Sequence, residues 1–366
     1  MALVSPPQTE INSVLALYSN GKIQEALGAV EVLIKSYPND PFLYSISGAC
    51  FAGLGQLDTA LKSYEKALTI KPDYAEVHYN LGVTLQELGQ LDAAVESYEK
   101  ALAIKSDYAD AYINLGITLK NLGQLDAAVK SYEQALAINP NYAKAHNNLG
   151  NALDDLGKLD AAVKSYEQAL AINPGFAEAH NNLGKTLKNL GQLDASIKSL
   201  EQALAIKPDY AEAHNNLGNA LKELGQLDAS IKSFEKTLAI KPDYAVAHNN
   251  LGLTLVELGR LDAAIKSYEK AITIKPDFDE AYRNLGSVML CLKRMDEAMT
   301  NFERALAINP KLNFVLGFSL HTKMQLCLWD DLSSQLDELQ NKIHNNEKVI
   351  DPFVMLGLID DPELQR

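Results

Sequence analysis

Shifting the sequence against itself by 34 residues superimposes Leu81-Gly82, Leu115-Gly116, Leu149-Gly150, Leu183-Gly184, Leu217-Gly218, Leu251-Gly252 and Leu285-Gly286, with no insertion anywhere in the register. A chain that repeats at this period cannot close a single globular core. Each copy is too short to bury its own apolar face, so the copies must stack on one another. The same offset aligns Tyr98, Tyr132, Tyr166, Leu200, Phe234, Tyr268 and Phe302. Three residues beyond each stands Ala101, Ala135, Ala169, Ala203, Thr237, Ala271 or Ala305, and a Pro usually closes the unit, from Pro140 to Pro310, with Ser106 the exception.

Within one period the spacing predicts two helices. From Ala75 to Leu88 the apolar residues Val77, Leu81, Leu85 and Leu88 recur at three and four, the stripe of an amphipathic helix. Gly82 lacks a Cβ and lets the neighbouring helix approach. Gly89 falls where a helix C-cap is expected, and Asp92 lies in the opening turn of the next helix, where the dipole favours a carboxylate. That second helix runs to about Ile104.

These positions resemble the tetratricopeptide repeat, with Leu-Gly in the first helix, a small residue and an aromatic in the second, and Pro at the close. The resemblance implies an all-α fold, a right-handed α-α superhelix of antiparallel helix pairs whose concave surface is lined by first helices. Stepping the register outward gives nine repeats over 7–312. A degenerate terminal repeat follows over 313–346, and then a junction segment, 347–366. The concave groove is expected to hold an extended peptide or a protein surface. A homodimer through the convex face is open.

The residue before each Leu-Gly is Asn: Asn80, Asn114, Asn148, Asn182, Asn216, Asn250 and Asn284. Asn is a mediocre helix former, because its amide competes for backbone hydrogen bonds. Seven uses inside helices therefore call for a reason. One is a peptide-binding ladder of amides, each able to donate to and accept from an extended backbone whatever its side chains. The other is bonding between adjacent helices that stabilises the stack. Asn147, Asn181, Asn215 and Asn249 make Asn-Asn pairs with four of them, and are read as leaning toward the rim. The variable pairs Gln86 and Glu87, Lys120 and Asn121, Asp154 and Asp155, Lys188 and Asn189, and Lys222 and Glu223 are the positions expected to select among ligands.

The remaining chemistry-bearing residues are read as structural. His78, His146, His180, His214 and His248 share one repeat position, so successive copies stand about 10 Å apart. That is too far for shared ligation of a metal at about 2 Å per bond. Asp92 and its equivalents Asp126, Asp160, Asp194, Asp228 and Asp262 cannot form carboxylate pairs at this spacing. Cys50, Cys291 and Cys327 fit neither a disulfide framework nor a zinc site and are expected to be reduced thiols. No phosphate loop, nucleophile elbow or zinc-protease motif occurs, so no catalytic residue and no cofactor or metal is assigned.

The formal charge of −14 opposes binding to nucleic acid or an anionic membrane. With no signal peptide and no long apolar run, a cytoplasmic location is expected.

Near the end the pattern changes: Leu326-Cys-Leu-Trp-Asp-Asp-Leu332 holds the only Trp, and a Pro-Phe segment follows at Pro352 and Phe353. Together with the Asn row, the stretch from Trp329 to Phe353 resembles the repeat region and junction of Spindly-like O-linked N-acetylglucosamine transferases. That resemblance implies the arm recognising protein substrates for Ser/Thr glycosylation from a UDP-sugar, without the catalytic lobes. A stand-alone assembly scaffold is the alternative.

Overall fold

The computed structural model describes residues 6–328, 330, 332–345 and 347–349. They form two compact units, Met1–Thr186 and Leu187–Arg366. All the secondary structure among the described residues is helical, in twenty α-helices.

The first unit contains α1 (Gln8–Ser19), α2 (Ile23–Ser36), α3 (Pro41–Gly53), α4 (Leu57–Ile70), α5 (Ala75–Glu87), α6 (Leu91–Ile104), α7 (Ala109–Asn121), α8 (Leu125–Ile138), α9 (Ala143–Asp155) and α10 (Leu159–Ile172). The unit boundary falls within α11 (Ala177–Asn189). The second unit continues with α12 (Leu193–Ile206), α13 (Ala211–Glu223), α14 (Leu227–Ile240), α15 (Ala245–Glu257), α16 (Leu261–Ile274), α17 (Asp279–Cys291), α18 (Met295–Ile308), α19 (Val315–Gln325) and α20 (Leu332–His344).

Inside each unit the packing is local. From α3 to α10 and from α13 to α18 a helix meets its hairpin partner most extensively, then the adjacent helix of the neighbouring pair, whereas α2 and α19 pack more on the neighbouring pair than on their own partners. The pair α7 and α8 shows why. The first helix buries Ala111, Ile113, Leu115, Gly116, Thr118 and Leu119; the second buries Ala128, Ser131, Tyr132 and Ala135. Tyr132 is 1% exposed and lies on Gly116, where an added Cβ would stand 2.6 Å from its Cε1. The Gly and the ring are thus one packing device: the helices approach because one of them has no side chain there.

The turn between the helices is Leu122-Gly123-Gln124. Gly123 has a φ of +75°, and its N–H donates to the Lys120 carbonyl at 2.9 Å, while the Gln124 N–H reaches the Leu119 carbonyl at 2.8 Å. Such a left-handed closure satisfies carbonyls that the helix end leaves open. Asp126 then lies in the first turn of α8, as the sequence predicts, with no side-chain cap bond at that helix start.

The end of the described chain uses different contacts. Leu320, Leu332, Leu339 and Val349 form a small core, and the Phe314 and Gly317 N–H groups donate to the carbonyls of Lys348 and Val349 at 2.7 and 3.0 Å. Trp329 and Phe353, on which the transferase resemblance rests, lie outside the described residues. Cys50 is fully buried in the first unit, and burial pushes its thiol up to about 11; Cys291 and Cys327 are exposed.

Candidate functional site: the amide row

All seven candidate amides fall on the first helix of a pair. In the first unit Asn80, Asn114, Asn148 and Asn182 lie on α5, α7, α9 and α11. In the second Asn216, Asn250 and Asn284 lie on α13, α15 and α17. Asn284 is 8% exposed, and the other six are half-buried.

Four of these amides donate to a side chain 35 residues earlier, in the preceding repeat. Asn114 Nδ2 donates to the Tyr79 hydroxyl at 3.0 Å and Asn182 Nδ2 to Asn147 Oδ1 at 3.2 Å. In the second unit Asn250 Nδ2 donates to Asn215 Oδ1 at 3.3 Å and Asn284 Nδ2 to Asn249 Oδ1 at 2.9 Å. Four of the seven amides are therefore tied to the repeat before them, two in each unit. An amide has two N–H donors and a carbonyl with two lone pairs, so this one bond orients Asn114 and Asn250 and leaves most of their capacity. Asn182, by contrast, also donates to Asn151 Oδ1 at 3.0 Å and accepts from Asn181 at 3.3 Å, and Asn284 accepts from Arg283.

The first members of the Asn-Asn pairs do not lean toward the rim. Asn147, Asn181, Asn215 and Asn249 are 1%, 6%, 5% and 4% exposed, more buried than their neighbours in the row. Helical geometry explains the difference: a step of one residue turns a side chain by about 100°, which here moves it from the open face into the seam between helices. Asn147, Asn215 and Asn249 supply acceptors there, and Asn147 also donates to Glu178 Oε1 at 3.2 Å. The sequence signal for this role is a polar residue 35 positions before a row Asn.

Several variable positions are also engaged between repeats. Lys120 Nζ meets Asp155 Oδ2 at 2.9 Å, Lys188 Nζ meets Glu223 Oε1 at 3.1 Å, and Lys222 Nζ meets Glu257 Oε1 at 3.8 Å. Asp154 accepts from Lys185 and from the Thr186 hydroxyl at 3.1 and 2.9 Å. These ion pairs are partly exposed, so each contributes only about 0–1 kcal/mol. What they do is order the charges that border the amide row.

The repeated histidines share one partner type. Nε2 of His78, His146, His180, His214 and His248 lies 2.9–3.2 Å from the carbonyl of Pro72, Pro140, Pro174, Pro208 and Pro242 respectively. A carbonyl only accepts, so Nε2 carries the proton. Each histidine thereby ties a first helix to the turn that precedes it.

Asn148 stands apart. The position 35 residues before it is Ile113, 3% exposed and without an acceptor, and Asn148 Nδ2 is buried with no hydrogen-bond partner. An unmet buried donor costs about 1–3 kcal/mol.

Helix pairs bonded edge to edge by their side chains define an all-α repeat protein, in which the ordered surface is made of amides and paired charges. Specifically, the chain belongs to the tetratricopeptide repeat family. TPR-repeat matches cover residues 51–89, 85–123, 119–157, 150–191 and 187–225, and further tetratricopeptide matches cover 209–277 and 249–313.

Among curated relatives, the peroxisomal targeting signal receptor of Candida glabrata is 27% identical over 75 residues, which is 20% of this chain and 13% of the receptor. Among solved structures, one chain of the APC/C hetero-tetramer Cut9–Hcn1 superimposes with a TM-score of 0.57 at 18% identity, over 82% of this chain and 59% of that one, a likeness of fold. The crystal structure of MamA is 32% identical, covering 44% of this chain and 95% of that one, with a TM-score of 0.41. No helix among the described residues is long and apolar enough to cross a membrane.

Proposed function

We propose that the chain is a protein-interaction scaffold without catalysis of its own, built from nine repeats over 7–312 and a degenerate repeat over 313–346. In this reading the amides of each unit, Asn80, Asn114, Asn148 and Asn182 in one and Asn216, Asn250 and Asn284 in the other, hold the backbone of an extended polypeptide. The observation that carries it is the pre-orientation of Asn114, Asn182, Asn250 and Asn284 by bonds to the preceding repeat. An amide already held in place loses little side-chain entropy on meeting a ligand, and a peptide backbone offers the donors and acceptors it still lacks. The tetratricopeptide family and the partner-bound Cut9–Hcn1 assembly support the scaffold reading.

A narrower reading makes this scaffold the substrate-recognition arm of a UDP-sugar glycosyltransferase. Only the sequence resemblance from Trp329 to Phe353 and the Asn row support it, and none of the relatives named above is a transferase.

The amide reading is tested on peptides selected against the whole chain from a phage-displayed random library. Replacing Asn148, Asn182, Asn216 and Asn250 together by Ala should weaken their binding by at least about ten-fold, given about 0.5–1.5 kcal/mol per amide bond, with helical circular dichroism retained. Unchanged affinity in the folded variant would reduce the row to a structural device.

A further inference from the structure

Where the row amides bond to the preceding repeat they follow a rule, and Asn148 is the rung whose donor is left buried and unmet. In the first unit Asn114 and Asn182 donate to Tyr79 and Asn147, 35 residues before them. Asn148 has Ile113 at that place, and its Nδ2 remains buried and unpartnered. Asn148 also lines a cleft of about 420 Å³, together with Tyr142, Lys144, Asn147, Phe176 and Glu178.

We propose that Asn148 is the anchor of the first unit, the rung that takes a backbone carbonyl of the bound polypeptide first and so sets its register, and that Ile113 is the residue that keeps its donor available. This inference rests on the peptide-binding reading above. A rung already bonded to the preceding repeat gains one new hydrogen bond when a ligand arrives. Asn148 gains that bond and also loses an unmet buried donor. A half-turn about Cβ–Cγ presents the N–H₂ group to the cleft and puts the amide oxygen in the place it leaves, where an under-satisfied carbonyl is better tolerated than an orphaned N–H. The cleft wall is fixed by the bond from Asn147 Nδ2 to Glu178 Oε1 at 3.2 Å. The rings of Tyr142 and Phe176 receive the ligand side chain next to the anchored carbonyl.

Ile113→Asn tests the inference, because it gives Asn148 the internal acceptor that Asn147 gives Asn182. Acetyl-tetraalanine amide serves as a probe of plain peptide backbone, titrated into the full chain carrying ¹⁵N-labelled asparagine, with the side-chain amides followed by NMR. The expected result is that Asn148 responds at the lowest peptide concentration, with an apparent affinity about ten-fold above the other rungs of its unit. Ile113→Asn should remove that advantage. Ile113→Tyr, which copies the arrangement at Tyr79, repeats the measurement should the Asn variant fold poorly.

If the other amides respond and Asn148 does not lead, the anchor is wrong and the peptide reading stands. A chain in which no asparagine amide responds overturns both. An Asn148 response that persists in a folded variant with an acceptor at position 113 also overturns the role given to Ile113.

Discussion

Lys293 adopts a φ of 59° and Cys327 a φ of 56°, in a backbone region that a side chain with a Cβ rarely enters. Both sit in register with Gly21, Gly55, Gly89, Gly123, Gly157, Gly191, Gly225 and Gly259, at φ between 71° and 79°. The repeat imposes the conformation, and at its C-terminal end it does so on residues that resist it. Lys293→Gly should therefore stabilise the chain by about 0.5–1 kcal/mol. That is a left-handed penalty of about 1–2 kcal/mol less the extra chain entropy of glycine, about 0.5–1 kcal/mol. Urea denaturation reads this as a higher midpoint at constant slope, and an unchanged midpoint would mean that Lys293 bears no strain. The glycines were legible in the sequence, because steric exclusion of Cβ leaves few other reasons for a Gly at a fixed place. The acceptors Tyr79, Asn147, Asn215 and Asn249 were not. Their role depends on a 35-residue relation and on a rotation of about 100° into the seam, neither of which shows in a 34-residue alignment.

The helix is where the five histidines act, each joining the start of one helix to the turn before it. Their shared repeat position predicts packing residues, and the Pro carbonyl makes that packing directional. His214 is 7% exposed on α13, with Lys236 of α14 and Glu201 of α12 lining the same cleft. Burial holds its pKa below the ordinary 6.5; the Pro208 carbonyl opposes this and Lys236 adds to it. The unfolded chain therefore binds the proton more tightly than the folded one, and the fold loses stability as pH falls through the histidine range and below. Denaturation at neutral pH and at about one unit below the free histidine value should show this loss in the wild type. It should be smaller in His214→Tyr, which installs the residue found at Tyr112 and Tyr282. Equal losses in the two proteins would place the acid sensitivity elsewhere. The charge pairs follow a different logic. Lys120 and Asp155 belong to different repeats, so a reading confined to one repeat sees an open charge where the stack makes a pair.

At the scale of the whole molecule, the period makes a claim about energetics. If a helix pair contacts only its neighbours, stability is a sum of repeat and interface contributions rather than the property of one core. Excising residues 109–142 joins Tyr108 to Ala143 and keeps the register, since the segment is one period of 34 residues. The shortened chain should fold with unchanged ellipticity per residue. Its denaturant slope should fall by about a tenth, in proportion to the surface removed. A chain with one shared core would unfold instead, and loss of cooperative unfolding would overturn the additive picture. The same excision reaches the amide row. It removes Ile113 and sets Tyr79 at the place 35 residues before the former Asn148, where its hydroxyl can accept as it now does from Asn114. The shortened protein should thus keep its fold while the leading response of that amide to a backbone peptide disappears. Removing residues 143–176 instead deletes Asn148 and brings Asn182 onto Ile113, and the unmet donor should move to Asn182. The two excisions remove the same length of chain, so a difference between them in peptide response follows the identity of the acceptor and not the number of repeats.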